Sequence, residues 1–211
     1  MRPPSGAKRA RSSRRFARFP SSSSKAEAAL DAALVARRCA RRLHSPRAVA
    51  RALDRMAAAL APSLKDANPV VLAVMHGGAF AALELSRRFE FPHEFDYVHV
   101  TRYRGGVRGR RLAWRARPNN TLAGRSVLVV DDILDHGTTL QALQKALDRL
   151  GVAVQRTAVL VVKRRKRRGR APHVDVSGLA VDDVYVFGSG MDYRGYWREL
   201  GGIYGIDGEP P

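Results

Sequence analysis

The chain has 211 residues, a length that suits one α/β domain with a substantial core and room for a small appended lobe. A single cysteine, Cys39, excludes an internal disulfide, no Cys/His cluster has zinc-ligand spacing, and no apolar run approaches the ~20 residues of a membrane helix, so a soluble cytoplasmic protein is expected. The formal charge of +19 is mostly local: residues 1–25 hold eight Lys/Arg and residues 163–170 hold seven, with no acid in either stretch, so a fold-wide nucleic-acid surface is not required, although the field attracts anionic ligands.

Residues 1–24 are rich in Arg, Ser and Pro and carry almost no aliphatic side chains. They cannot bury enough surface to offset the entropy of ordering, so they are expected to form a disordered basic tail ahead of a folded domain over 25–211. Ala, Leu and Arg then recur at helical spacing over 25–43 and 46–60, with Ser45-Pro46 as a cap and first-turn signal and Cys39 as a helix-packing residue. A continuous apolar run, Val70 to Met75, predicts the first strand; His76-Gly77-Gly78 makes a turn and Ala79 to Phe89 a helix. Tyr97 to Tyr103 predicts a second strand, followed by a Gly/Arg-rich loop or hairpin with weak β alternation at 111–115. Gly124 to Val130 reads as a third, buried strand, Asp131 to Thr139 as a turn, and Leu140 to Leu150 as a helix capped by Gly151. Val154 to Val162 and Asp183 to Phe187 complete the expected strands. Strands alternating with helices predict a parallel sheet with its ligands at the carboxyl ends of the strands.

The segment richest in chemistry runs from Val127 to Leu140. A buried strand delivers two adjacent carboxylates, Asp131 and Asp132; a turn delivers a third, Asp135; and His136-Gly137-Thr138-Thr139 opens a helix. Backbone N–H groups and hydroxyls at a helix N-terminus cradle a phosphate, while the carboxylates upstream can hold vicinal hydroxyls and, through them, Mg²⁺. An ordinary strand-to-helix turn with aspartate caps would account for one of these residues but not for three.

This segment resembles the phosphoribosyl pyrophosphate (PRPP) signature of type I phosphoribosyltransferases. The resemblance implies an α/β fold with a mostly parallel central sheet flanked by helices, and a small hood lobe built from parts of 25–60 and 164–211. It implies that Asp131 and Asp132 contact the ribose hydroxyls and that His136, Gly137, Thr138 and Thr139 wrap the 5′-phosphate. Asp135 falls where the 6-oxopurine members carry the carboxylate that exchanges a proton with purine N7. Lys163, at the end of the strand ending in Val162, falls where those members place the donor to purine O6. A cation there favours a 6-oxo group over the 6-amino group of adenine, which would point a donor at a donor. Arg164 to Arg170 are expected to belong to the loop beyond, with Arg164 and Arg165 affecting solubility or anion affinity more than base choice.

Tyr185 to Arg198 resembles the closing motif of the same family. Tyr185 is implied to stack on the purine, the Val186 backbone to read its edge, Arg198 to bind pyrophosphate, and Asp192 to hold a second Mg²⁺, with Asp131 and Asp132 on the metal side of the ribose. Tyr193, Tyr196 and Trp197 read as core aromatics. Met75-His76-Gly77-Gly78 sits where the family has its pyrophosphate loop, often with a cis peptide before the second residue; His76 and Gly77 are the implied contacts. Arg102 and Tyr103 open the implied mobile lid, about 103–118, in an Arg-rich form like that of a bacterial hypoxanthine-guanine subgroup. The implied reaction is purine salvage, PRPP plus hypoxanthine or guanine giving IMP or GMP and pyrophosphate, with Mg²⁺ as cofactor and a homodimer or homotetramer as the assembly. Two other readings stand beside it: an RNA-binding regulator on the same fold, suggested by the basic runs, and a xanthine-preferring transferase. RNA binders use aromatic platforms, of which the basic runs hold little beyond Phe16 and Phe19, so nucleic acid is not a required partner.

Overall fold

The computed structural model describes residues 24–102, 112–165 and 171–207. Residues 1–23 of the tail expected over 1–24, residues 103–111 of the expected lid and 166–170 of the second basic run lie outside the described residues, as does the Arg102 side chain, while Ser24 already begins a helix. Helix α1 (Ser24–Cys39) buries Ala33 and Ala36. It stops short of the expected Leu43, because Arg41–His44 is a strand, β1, paired with a segment at the far end of the chain; Cys39 is exposed there rather than packed. Helix α2 (Pro46–Leu64) begins where expected: Ser45 Oγ accepts from Ala48 N at 3.2 Å, a cap worth about 1 kcal/mol. It runs on past Pro62 and buries Val49, Leu53, Met56, Leu60 and Leu64 along one stripe.

The remaining elements are β2 (Val70–Val74), α3 (Gly78–Ser86), β3 (Glu94–Arg102), β4 (Leu112–Ala116), β5 (Ser126–Leu134), α4 (Thr138–Arg149), β6 (Val154–Lys163), β7 (Val176–Val181), β8 (Tyr185–Phe187) and β9 (Ile203–Ile206). The central sheet has the order β4-β3-β2-β5-β6-β7. Its strands are parallel except β4, which forms a hairpin edge antiparallel to β3. Alternation along the strands sorts the core into two layers. Val71, Ala73, Leu128, Val130, Ala158 and Leu160 meet α2 and α3 on one face, whereas Val70, Leu72, Val127, Val129 and Val159 meet Leu140, Leu143 and Leu147 of α4 on the other. Both faces being covered explains why these strands are continuous apolar runs.

A second, three-stranded antiparallel sheet, β1-β9-β8, forms the hood with α1. The segment expected as a last central strand, Asp183 to Phe187, belongs here instead. The chain turns at Asp182 to Val184 and leaves the central sheet, whose edge is taken by β7 beside β6. Phe187, Tyr193 and Tyr204 fill the hood core, with Tyr196 and Trp197 packed against it. Trp197 Nε1 donates to Ala33 O at 2.7 Å and ties α1 down. Among the described residues no helix is long and apolar enough to cross a membrane.

Candidate active site

Strand order reverses between β2 and β5: from β2 the chain crosses to β3 on one side, while β5, β6 and β7 build outward on the other. Loops leaving β2 and β5 therefore diverge and open a crevice at their carboxyl ends. A cavity of about 270 Å³ lies there, lined by Met75, Asp131, Asp135, His136, Gly137 and Thr138 among others. Asp131 and Asp132 sit on the strand rather than in the turn expected over 131–139, because β5 stays paired with β6 through Asp131↔Val159 and Leu134↔Val162, and only Asp135 follows it in the turn.

Adjacent strand residues point to opposite faces, and Asp131 and Asp132 do different things. Asp131 lines the cavity, whereas the Asp132 carboxylate lies against Gly77, so closely that a methyl group at Gly77 would overlap it. Each is turned by a local backbone donor: Asp132 N donates to Asp131 Oδ1 at 3.0 Å and Ile133 N to Asp132 Oδ1 at 2.8 Å. Desolvation, reinforced by the neighbouring Asp132 charge, raises Asp131 well above the usual aspartate range. Desolvation also raises Asp132, offset in part by hydrogen bonds and by the Arg198 cation facing it.

Beyond β5 the chain turns through Asp135, His136 and Gly137. Gly137 is left-handed, φ 77°, and α4 starts at Thr138. A side chain at Gly137 would be strained by that φ and would meet the Pro172 ring at 2.7 Å. The first-turn N–H groups of α4, which have no acceptor within the helix, thus open beside the cavity with the Thr138 and Thr139 hydroxyls.

Lys163 ends β6 and is largely buried, its Nζ 3.7 Å from Asp135 Oδ2 and 3.8 Å from Asp183 Oδ1. Arg165, expected as a solvated loop residue, instead reaches the same carboxylates. Its Nη1 lies 2.5 Å from Asp135 Oδ1 and 3.2 Å from Asp183 Oδ1. Sequence reading missed both Arg165 and Asp183; nothing in a basic run or a loop aspartate marks them, since the contact spans β6 and two separate loops. On the hood side Tyr185 is half-buried, its ring edge-on to Tyr193 and its hydroxyl donating to Asp192 O at 3.0 Å. Val186 is buried and paired with Gly205.

The hood meets the crevice through Gly190, which has φ 102° and abuts the Gly77 carbonyl. Arg198 Nη1 donates to Gly190 O at 2.7 Å, and its Nη2 pairs with Asp192 Oδ1 at 2.7 Å. Asp192 Oδ2 in turn accepts from Gly195 N at 2.6 Å. The Met75–His76 peptide is cis. His76 is exposed, and its ring contacts that of His99 edge-on, 4.6 Å between centroids. Burial lowers His99 below the usual histidine range, and His76 and Arg115 add to the effect. Nothing in the strand pattern singles out His99 as the neighbour of His76.

Among the described residues no cluster of three or more His, Cys, Asp and Glu could hold a metal by itself.

Residues 40–194 match the family model described as the phosphoribosyl transferase domain. The chain is 30% identical over 145 residues to the hypoxanthine-guanine-xanthine phosphoribosyltransferase of Tritrichomonas foetus, covering 69% of this chain and 79% of that one. It is 30% identical over 136 residues to the hypoxanthine-guanine phosphoribosyltransferase of Lactococcus lactis, covering 63% and 72%. A solved hypoxanthine phosphoribosyltransferase from Staphylococcus aureus has the same fold, with a TM-score of 0.76 at 22% identity over 82% of this chain and 95% of that one.

Proposed function

The chain belongs to the family that carries the phosphoribosyl transferase domain, and from that premise we propose that it transfers the 5-phosphoribosyl group of PRPP to N9 of hypoxanthine or guanine, releasing pyrophosphate. The observation that carries the choice of base is the meeting of Lys163 and Asp135 at the end of β6, beside the phosphate-binding turn. A cation and a carboxylate side by side match the O6 acceptor and the N7 edge of a 6-oxopurine, and mismatch adenine.

In this reading Asp131 and Asp132 accept from the ribose hydroxyls, and the N–H groups and hydroxyls from His136 to Thr139 hold the 5′-phosphate. The His76-Gly77 backbone and Arg198 receive the pyrophosphate. Tyr185 covers one face of the purine and the Val186 backbone meets its edge. Asp135 manages the proton at N7 while N9 forms the bond to ribose C1 and the pyrophosphate oxygen leaves with its electron pair. Asp131, Asp132 and Asp192 are the residues that would hold Mg²⁺, which when bound neutralises charge on the pyrophosphate. Arg102, Tyr103 and the lid keep water from the ribosyl centre. The basic runs are not needed for this chemistry.

The test is steady-state pyrophosphate release with PRPP, Mg²⁺ and each of hypoxanthine, guanine, xanthine and adenine. Turnover is expected with hypoxanthine or guanine and to be lost with EDTA. Adenine as the preferred base, or no turnover with any 6-oxopurine, would overturn the assignment.

A further inference from the structure

The four charged side chains at the end of β6 are arranged in an uneven way. Lys163 and Arg165 lie deeper, with side chains 12% and 23% exposed, and Asp135 and Asp183 lie above them, 38% and 45% exposed. Arg165 reaches both carboxylates with one nitrogen, Nη1. Its Nε–H is buried and has no hydrogen-bond partner among the described residues. The guanidinium therefore does not grip Asp135 as a two-pronged fork, the geometry that fixes an arginine in place. A small rotation that exchanges the shorter contact for the longer one moves it from Asp135 to Asp183.

We propose that Arg165 is a positioning residue that competes with the purine for Asp135 and is passed to Asp183 when the purine wins. The proposal rests on Asp135 being the group that meets N7. An N7–H needs an Asp135 oxygen as acceptor, and Arg165 occupies Oδ1 at hydrogen-bonding distance. A guanidinium this deep cannot simply be released, since an uncompensated buried charge is costly, so a second carboxylate within reach is the condition for exchange. Asp183 supplies it. Lys163 stands almost equidistant from the two carboxylates and keeps its charge balanced in either arrangement.

The measurement is kcat, KM for hypoxanthine and KM for PRPP in the full chain and in Arg165→Met, Arg165→Lys, Asp183→Asn and the Arg165→Met/Asp183→Asn double variant. Removing the competitor in Arg165→Met lowers KM for hypoxanthine roughly three- to tenfold, the scale of one partly exposed charged contact, with KM for PRPP unchanged. Arg165→Lys keeps the charge and stays near wild type. Asp183→Asn shifts KM for hypoxanthine upward, because Arg165 loses its alternative, and that shift shrinks in the double variant. A purely structural contact would instead lower thermal stability and move kcat and both KM values together. An unchanged or raised KM for hypoxanthine in Arg165→Met overturns the proposal, as does an Asp183→Asn shift that survives intact in the double variant. If wild-type protein makes no nucleotide from any 6-oxopurine, the functional reading falls with it; wild-type turnover with indifferent variants removes this proposal alone.

Discussion

Lys163 and Asp131 show how a single side chain can be read from the sequence for its chemistry but not for its surroundings. The end of a buried apolar run placed Lys163 at the mouth of the crevice, and the structure adds its two carboxylate neighbours. Replacing it with Met should lower kcat/KM for hypoxanthine by the equivalent of ~1.5–3 kcal/mol, the scale of a charged hydrogen bond, and leave KM for PRPP nearly unchanged. An equal loss on both substrates would place Lys163 outside the base site. For Asp131 the pH dependence has a definite sign. Its raised value means that the folded chain holds the proton more tightly than the unfolded chain does. The associated stability is complete below the ordinary aspartate value of about 4 and is lost as pH rises through the folded one. Asp131→Asn should therefore raise the melting temperature of metal-free protein at pH 7 and abolish PRPP binding, with the stability gain shrinking toward pH 4. A variant less stable than wild type at pH 7 would contradict the desolvation argument. Arg165 was illegible for the opposite reason: its role lies in a contact with Asp135, 30 residues away, that composition assigns to solvent.

At the scale of elements, long apolar runs were legible and short pairing strands were not. β2, β6 and the apolar half of β5 announce themselves because both sheet faces are covered, so their burial does not depend on which partner they find. β1 and β9 have four residues each, and Arg41–His44 continues a helical Arg/Leu spacing until a distant strand claims it. β7, interrupted by Gly178, carries a similarly weak pattern; a methyl group at that position would come within 2.7 Å of the Leu160 carbonyl and of the Met56 sulfur. The hood and the loop after β2, to which we assign the pyrophosphate, meet at another glycine, which supplies a test of their coupling. Gly190→Ala places a methyl group on the Gly77 carbonyl at a φ that L residues rarely adopt. It should cost ~1–3 kcal/mol of stability and raise KM for PRPP more than KM for hypoxanthine. Thermal unfolding and steady-state kinetics on one preparation check both halves, and a stable variant with unchanged PRPP kinetics would show that the two glycines do not constrain each other.

Across the whole molecule the charge of +19 acts on the two substrates unequally. PRPP is a polyanion and hypoxanthine is neutral, so kcat/KM for PRPP should fall as NaCl rises from about 0.05 to 0.5 M while that for hypoxanthine changes little, because screening shortens only the reach of the protein's field. Parallel losses for both would point to a general effect of salt on the fold. The clasp between β1 and β9 bears on when the molecule becomes competent. Arg41 and Asp207 bond across 166 residues of chain, and Asp192 and Arg198 lie in the stretch between β8 and β9. On a ribosome, the sheet strands and the phosphate-binding turn emerge well before that stretch. The roof of the crevice waits for Gly205 to pair with Arg41. Synthesis therefore carries its own timer: a chain stalled after β7 lacks the arginine and the tyrosine of the hood, and also Val186, Met191 and Ile203 of the main core, and should turn nothing over.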